Sequence, residues 1–122
     1  MRFKHLAAAG CAALAAACSA LPDRERLPAT PLVLTVQPGK AGEECFALAA
    51  GERIEYQFAA TVALDFNLHA HRGREIVMPV KIDQAREQMG TFAAPQRDDY
   101  CMMWANKGAV PAYVKGEWRR LR

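Results

Sequence analysis

The sequence predicts an all-β domain, an antiparallel β-sandwich of the jelly-roll kind with about seven or eight short strands. Three observations carry that prediction. From Pro31 onward apolar residues recur with a period of two, not the roughly 3.6 of a helix. The apolar runs are short and are separated by Gly, Pro or charged turn signals. No stretch has the length and spacing of a long amphipathic helix.

Taken in order, Leu32 to Val36 is a β-rich run closed by Pro38-Gly39, and Glu44 to Ala49 is a second strand closed by Gly51. Arg53 to Phe58 puts Ile54, Tyr56 and Phe58 on one face. Val62, Leu64, Phe66 and Leu68 then face one way, with Asp65, Asn67, His69 and His71 on the other as an exposed stripe. Ile76, Met78, Val80 and Ile82 continue the buried alternation beyond Gly73. The polar segment from Asp83 to Gln88 reads as a turn with some helical character, and Gly90 to Ala94, Tyr100 to Ala105 and Tyr113 to Trp118 complete the strands. Tyr100, Met102 and Trp104 alternate and are assigned to the core.

Directly opposed residues of an antiparallel pair share a face, so their numbers sum to a constant. Because the buried sets around Phe66 and Val80 are both even-numbered, the sum is even and the connecting loop has an odd length. A three-residue loop, Arg72-Gly73-Arg74, then opposes Leu64 to Ile82, Phe66 to Val80 and Leu68 to Met78. On the other face it opposes Asp65 to Lys81 and His71 to Glu75. A two-residue loop would set Asp65 against Val80 and mix the faces.

Four pieces stand in order: Glu44-Cys45-Phe46, Ile54-Glu55-Tyr56-Gln57-Phe58, Leu64-Asp65-Phe66-Asn67-Leu68, and Asp99-Tyr100-Cys101-Met102-Met103-Trp104-Ala105-Asn106, with Gly90-Thr91-Phe92 before the last. This order resembles the GOLD domain, the lumenal β-sandwich of early-secretory cargo receptors, over roughly Gly42 to Trp118. The resemblance implies a sandwich with a protein-binding role and a Cys45–Cys101 pair. It does not imply a cargo receptor, because no heptad region, membrane helix or sorting tail follows in this sequence.

The N-terminal end speaks of destination. Arg2 and Lys4 precede an uncharged Ala/Leu run from Leu6 to Ala17, the n-region and h-region of a secretory signal. The run ends in Leu14-Ala15-Ala16-Ala17-Cys18-Ser19, which resembles the bacterial lipobox, with Leu14 one place further from the cysteine than is commonest. Residues 1–18 are therefore expected to be a lipoprotein signal peptide ending at Cys18, the lipidation site. Cys11 is the competing cysteine, and ordinary signal-peptidase cleavage to a soluble periplasmic protein is the alternative. Several acyl chains on one cysteine anchor stably, at about 0.8 kcal/mol per buried CH₂. Ser19 after the cysteine points, by the lipoprotein resemblance, to the outer membrane facing the periplasm. Residues 19–31, with three prolines and several charges, read as an extended tether, and residues 32–122 as the sandwich domain.

Loss of Arg2 and Lys4 takes the formal charge from +3 to +1, which gives no electrostatic case for nucleic-acid binding. Cys45 and Cys101 are most simply a disulfide in an exported protein; free thiols or metal thiolates are the alternative. His69 and His71 point the same way along a strand, and the inferred hairpin adds the Glu75 carboxylate. Two imidazoles and a carboxylate suit Zn²⁺ or Cu²⁺, the alternative function to a plain solvent-facing stripe. No G-x-S-x-G, P-loop or C-x-x-C occurs. The expected function is a non-enzymatic, cofactor-free, lipid-anchored envelope module that binds a protein partner.

Overall fold

The structure, a computed structural model, describes residues 26–122. The expected signal peptide, lipidation at Cys18 and most of the tether lie outside the described residues. The fold is all-β, antiparallel and sandwich-like. Among the described residues six strands build it: β1 Thr30–Val36, β2 Ala41–Leu48, β3 Arg53–Arg72, β4 Glu75–Ala93, β5 Asp98–Ala105 and β6 Ala112–Leu121. The count is below the expected seven or eight because two pairs of expected strands are continuous. The runs at Arg53 and Val62 are both part of β3, and the polar segment Asp83 to Gln88 is extended within β4 rather than a turn. Of the expected tether, Arg26 already bridges to Leu121 and Leu27 donates its N–H to Arg120 O, ahead of β1 at Thr30.

The strands lie in the order β1-β6-β3-β5-β2, with β4 along the other side of β3. The long β3 serves two neighbours in turn: its first part, Arg53 to Ala60, pairs with β6, and its later part, Asp65 to Ala70, pairs with β5. Between these two ladders β3 changes partner, and there the sheet bends back on itself. One half is β1-β6 with the start of β3, and the other is β2-β5 with its end.

The β3–β4 register explains how the bend is made. The loop is two residues, Gly73-Arg74, with Arg72 opposite Glu75 and His71 opposite Ile76. This corrects the expected three-residue loop and the expected His71–Glu75 opposition. Gly73 has φ 62°, which suits a two-residue hairpin turn with glycine at its first position. The parity argument survives for the middle of the hairpin, because a bulge between Leu68 and Ala70 inserts a residue on the β4 side. The expected partners are nevertheless corrected by two residues: Phe66 opposes Ile82, not Val80, Leu68 opposes Val80, not Met78, and Lys81 faces Asn67, not Asp65. Leu64 opposes Ala85, not Ile82, while the Phe66 and Leu68 pairs keep an even sum. Nearer the tip the sum is odd, so Val77 opposes buried Ala70, and Ile76 and Met78 turn outward, 55% and 38% exposed. Their expected burial is corrected for that reason.

A second irregularity follows between Phe66 and Leu64, where Gln84 takes φ 55°. Asp65 holds it there, accepting from Gln84 N at 3.0 Å and Gln84 Nε2 at 3.2 Å, while Lys107 Nζ stands 2.9 Å from the same carboxylate. Bulges bend a strand and increase its twist. The bend in the sheet is thus written in β3 and β4 together.

Even-numbered side chains dominate the space between the halves. Leu32, Val36, Phe46, Leu48, Ile54, Tyr56, Phe58, Leu64, Phe66, Leu68, Tyr100, Met102, Trp104, Val114 and Trp118 are all buried. Each such large side chain contributes on the order of 1.5–3 kcal/mol. Tyr100, Met102 and Trp104 are core residues, as their alternation predicts. Phe58 meets Trp104 edge-on at 5.4 Å and Phe46 packs on Trp118 at 4.7 Å, joining the two halves. Trp118 Nε1 donates to Glu44, and Arg120 donates to Glu52 and to Ala47 O, so the basic C-terminal strand is tied down. Gly116 allows β6 to press on β3: a Cβ there would lie 2.0 Å from Gln57 O.

Candidate functional site

The outer face of the β2-β5-β3 half carries a group of chemically capable side chains. Cys45 opposes Cys101 across β2–β5, and Cys101 opposes His69 across β5–β3, so the three form successive rungs of one row. Cys45 and Cys101 are joined in a disulfide 56 residues apart in sequence. His69 is buried rather than exposed, as is Asn67, which corrects the expected solvent-facing stripe. The physical reason is position: this part of β3 is flanked by β5 on one side and β4 on the other, so same-face neighbours such as Met103 and Lys81 stand beside Asn67.

His69 Nδ1 lies 2.7 Å from Asn67 Oδ1. An amide oxygen only accepts, so Nδ1 is the donor of this pair and Nε2 is the ring atom turned toward β2. Nε2 is 3.6 Å from Glu43 Oε1. Glu43 is two residues before Cys45 and shares its face of β2. Among the described residues, the carboxylate of Glu43 and the sulfurs of Cys45 and Cys101 lie within 4.8 Å of one another.

Of the expected metal set, the structure brings the rings of His69 and His71 to 5.1 Å, edge to face. It does not bring Glu75 opposite His71, because the hairpin register gives that carboxylate to the Arg72 position. Arg72 itself pairs with Asp98 at 2.9 Å, tying the hairpin tip to the start of β5. The Arg72 guanidinium holds the Asp98 carboxyl below its ordinary value.

A second feature gathers at the end where β1 turns into β2 and β5 runs toward β6. Asn106 is 1% exposed, and its Nδ2 donates to Val36 O at 3.0 Å and Val110 O at 2.8 Å. Its Oδ1 accepts from Gly108 N at 2.9 Å, and its backbone bonds both Gly39 and Lys40. The loop that follows, residues 107–111, is exposed throughout, with Val110 54% exposed. Tyr113, also 54% exposed, begins β6 beside it and donates its N–H to Thr61 Oγ1. Lys107 reaches back to Asp65; that ammonium, followed by the N–H of Gln84, pulls the Asp65 carboxyl below its ordinary value.

The outer face of the other half holds a shallow groove of about 510 Å³, lined by Gln57, Ala59, Glu87, Met89 and Lys115 among others. Its side chains include no nucleophile set beside a base. Sequence reasoning missed Glu43 and Asn106. Glu43 stood just outside the expected strand, although its spacing from Cys45 already placed both on one face.

No family model matches the sequence, and no curated protein matches it. Among solved structures, the fold is similar to the crystal structure of Aeromonas hydrophila PliG, a periplasmic lysozyme inhibitor of g-type lysozyme. The TM-score is 0.56 at 9% identity, over 83% of this chain and 91% of that chain. A de novo designed double-stranded β-helix, solved in solution by NMR, aligns with TM-score 0.44 and 16% identity over 75% of this chain and 97% of that one. At 9% identity the first likeness establishes a shared fold.

Proposed function

We propose that this protein is a non-enzymatic module of the bacterial cell envelope, held to the outer membrane through lipidated Cys18, that binds a protein partner through the loop 107–111 and neighbouring Tyr113. The observation that carries this reading is the combination of exposure and a hydrogen-bonded backbone in that loop. Asn106 clamps it from below, donating to Val110 O and accepting from Gly108 N while a third bond to Val36 O ties the clamp to β1, and Val110 is offered to solvent. A loop already held in one shape loses little conformational entropy on binding, so its apolar contacts are retained as affinity. That a fold of this kind serves as a protein inhibitor in PliG supports the reading. So does the resemblance to GOLD domains, which are lumenal sandwiches.

The test is binding of the purified mature domain to a panel of envelope proteins that includes g-type lysozyme, measured by biolayer interferometry. Val110→Asp and Tyr113→Ala each weaken the complex about 30-fold or more, the scale of a central interface residue, with an unchanged circular dichroism spectrum. A partner that binds these variants as tightly as the parent refutes the assignment of the loop. Palmitate labelling that persists in Cys18→Ala refutes the anchor.

A further inference from the structure

The row Cys45, Cys101 and His69, with Glu43 beside it on the same face, is unused by the proposed binding loop, and its donors are of a particular kind. Two sulfurs, an imidazole nitrogen and a carboxylate are the ligand types of a tetrahedral Zn²⁺ site. Glu43 and both sulfurs already lie within 4.8 Å of one another, and His69 Nε2 is 3.6 Å from Glu43 Oε1. Asn67 fixes the imidazole through Nδ1, which is how metal-ligating histidines are oriented. The four ligands sit on three hydrogen-bonded strands, so the backbone that positions them is formed before any ion arrives.

What closes the site is the covalent bond between the two sulfurs. We infer that reduction of the Cys45–Cys101 disulfide opens a Zn²⁺ site formed by both thiolates, His69 Nε2 and the Glu43 carboxylate. Reduction is by a dithiol. One of its thiolates attacks the sulfur of exposed Cys45, the S–S bond breaks, and Cys101 leaves as a thiolate. The donor's second thiol displaces Cys45 and closes the donor's own disulfide, so two electrons and two protons pass to the protein. Zn²⁺ then displaces those two thiol protons to solvent. Cys45 and Cys101 are 4.0 Å apart at Cα, and rotation of their side chains separates the sulfurs to the spacing that two ligands of one ion need. The row therefore has two alternative states, an oxidised covalent staple and a reduced metal clamp.

Zn²⁺ titration into the mature domain, oxidised and after reduction with a phosphine, tests this by calorimetry, with Co²⁺ absorbance as a second readout. The reduced domain is expected to take one ion per chain, about 100-fold or more tighter than the oxidised domain, with a thiolate-to-Co²⁺ charge-transfer band. His69→Ala and Glu43→Gln each weaken binding by about tenfold or more, and Asn67→Ala by about 10–100-fold. Equal affinity in the two redox states overturns the inference. Should reduction alone unfold the domain, Zn²⁺ must restore its strand circular dichroism, and His69→Ala must block that restoration. Zn²⁺ bound equally with and without His69 is chelation by loose thiols and also overturns the inference.

Discussion

Alanine in place of Gly116 introduces one methyl group at a point where two strands touch. Its Cβ would lie 2.0 Å from Gln57 O, 2.7 Å from Phe58 Cα and 2.9 Å from Gln57 C, all of them backbone atoms. An acceptable carbon–oxygen approach is roughly 3.3 Å, so β6 would have to withdraw from β3 by about 1 Å. It is not free to do so, because Gly116 is paired with Phe58 on one side and Leu32 on the other. Overpacking of this sort costs about 1–3 kcal/mol, and rigid neighbours place it at the upper end. Weakening one ladder bond adds about 1 kcal/mol, and the stiffer unfolded chain of the alanine variant offsets about 0.4–1 kcal/mol of that loss. The net loss is about 3 kcal/mol, or a fall in Tm of about 10–20 °C for a domain of this size. Thermal unfolding of the oxidised domain by circular dichroism reads it, with exposed Lys115→Ala on the same strand as the control. A Gly116→Ala shift no larger than that of the control would refute the close approach of β6 to β3.

Two further outcomes follow from features already described. The Cys45→Ala/Cys101→Ala variant releases a loop of about 57 residues and loses on the order of 4 kcal/mol by the chain-entropy argument; denaturant titration with an unchanged midpoint would contradict it. Asp65 is held below its ordinary value by Lys107 and then by Gln84 N. A carboxylate favoured in the folded state stabilises fully above the unfolded pKa, and that stabilisation is lost as pH falls through the depressed folded value. Asp65→Asn is expected to lower stability near neutral pH and to flatten the acid limb of a stability-against-pH curve; an acid limb identical to the parent's would count against the Asp65 clasp.

Alternation along the chain was enough to find the core, because one face of each strand is buried and the side-chain period is two. Tyr100, Met102 and Trp104 needed nothing more. Turn length was harder to read. The even sum that pairs Phe66 and Leu68 with their partners is reached through a two-residue turn plus a bulge, and parity alone cannot distinguish that from a three-residue turn. Ile76 and Met78 were misplaced by the same bulge. The site was less legible than the fold. His69 looks exposed by alternation, but burial of an outer face depends on which strands flank it, and the change of partner from β6 to β5 is not written in any local pattern. Glu43 meets His69 across three strands, and Asn106 meets Val36 across 70 residues; contacts of that range arise only once topology is fixed.

The pairing of β1 with β6 joins Thr30 to Trp118 and Val36 to Ala112, the two ends of the described chain. Contacts of such wide sequence separation form late, because the intervening loop must be closed before they return any energy. As the polypeptide is synthesised or threaded from its N-terminus, β1 emerges first and waits for the last strand to appear. The β3–β4 hairpin, whose halves are adjacent in sequence, is free to form in the interval and to serve as the template. Completion of the sheet is therefore timed by the emergence of β6, and a chain that stalls before it carries an N-terminal strand with neither edge paired, open to whatever else it meets.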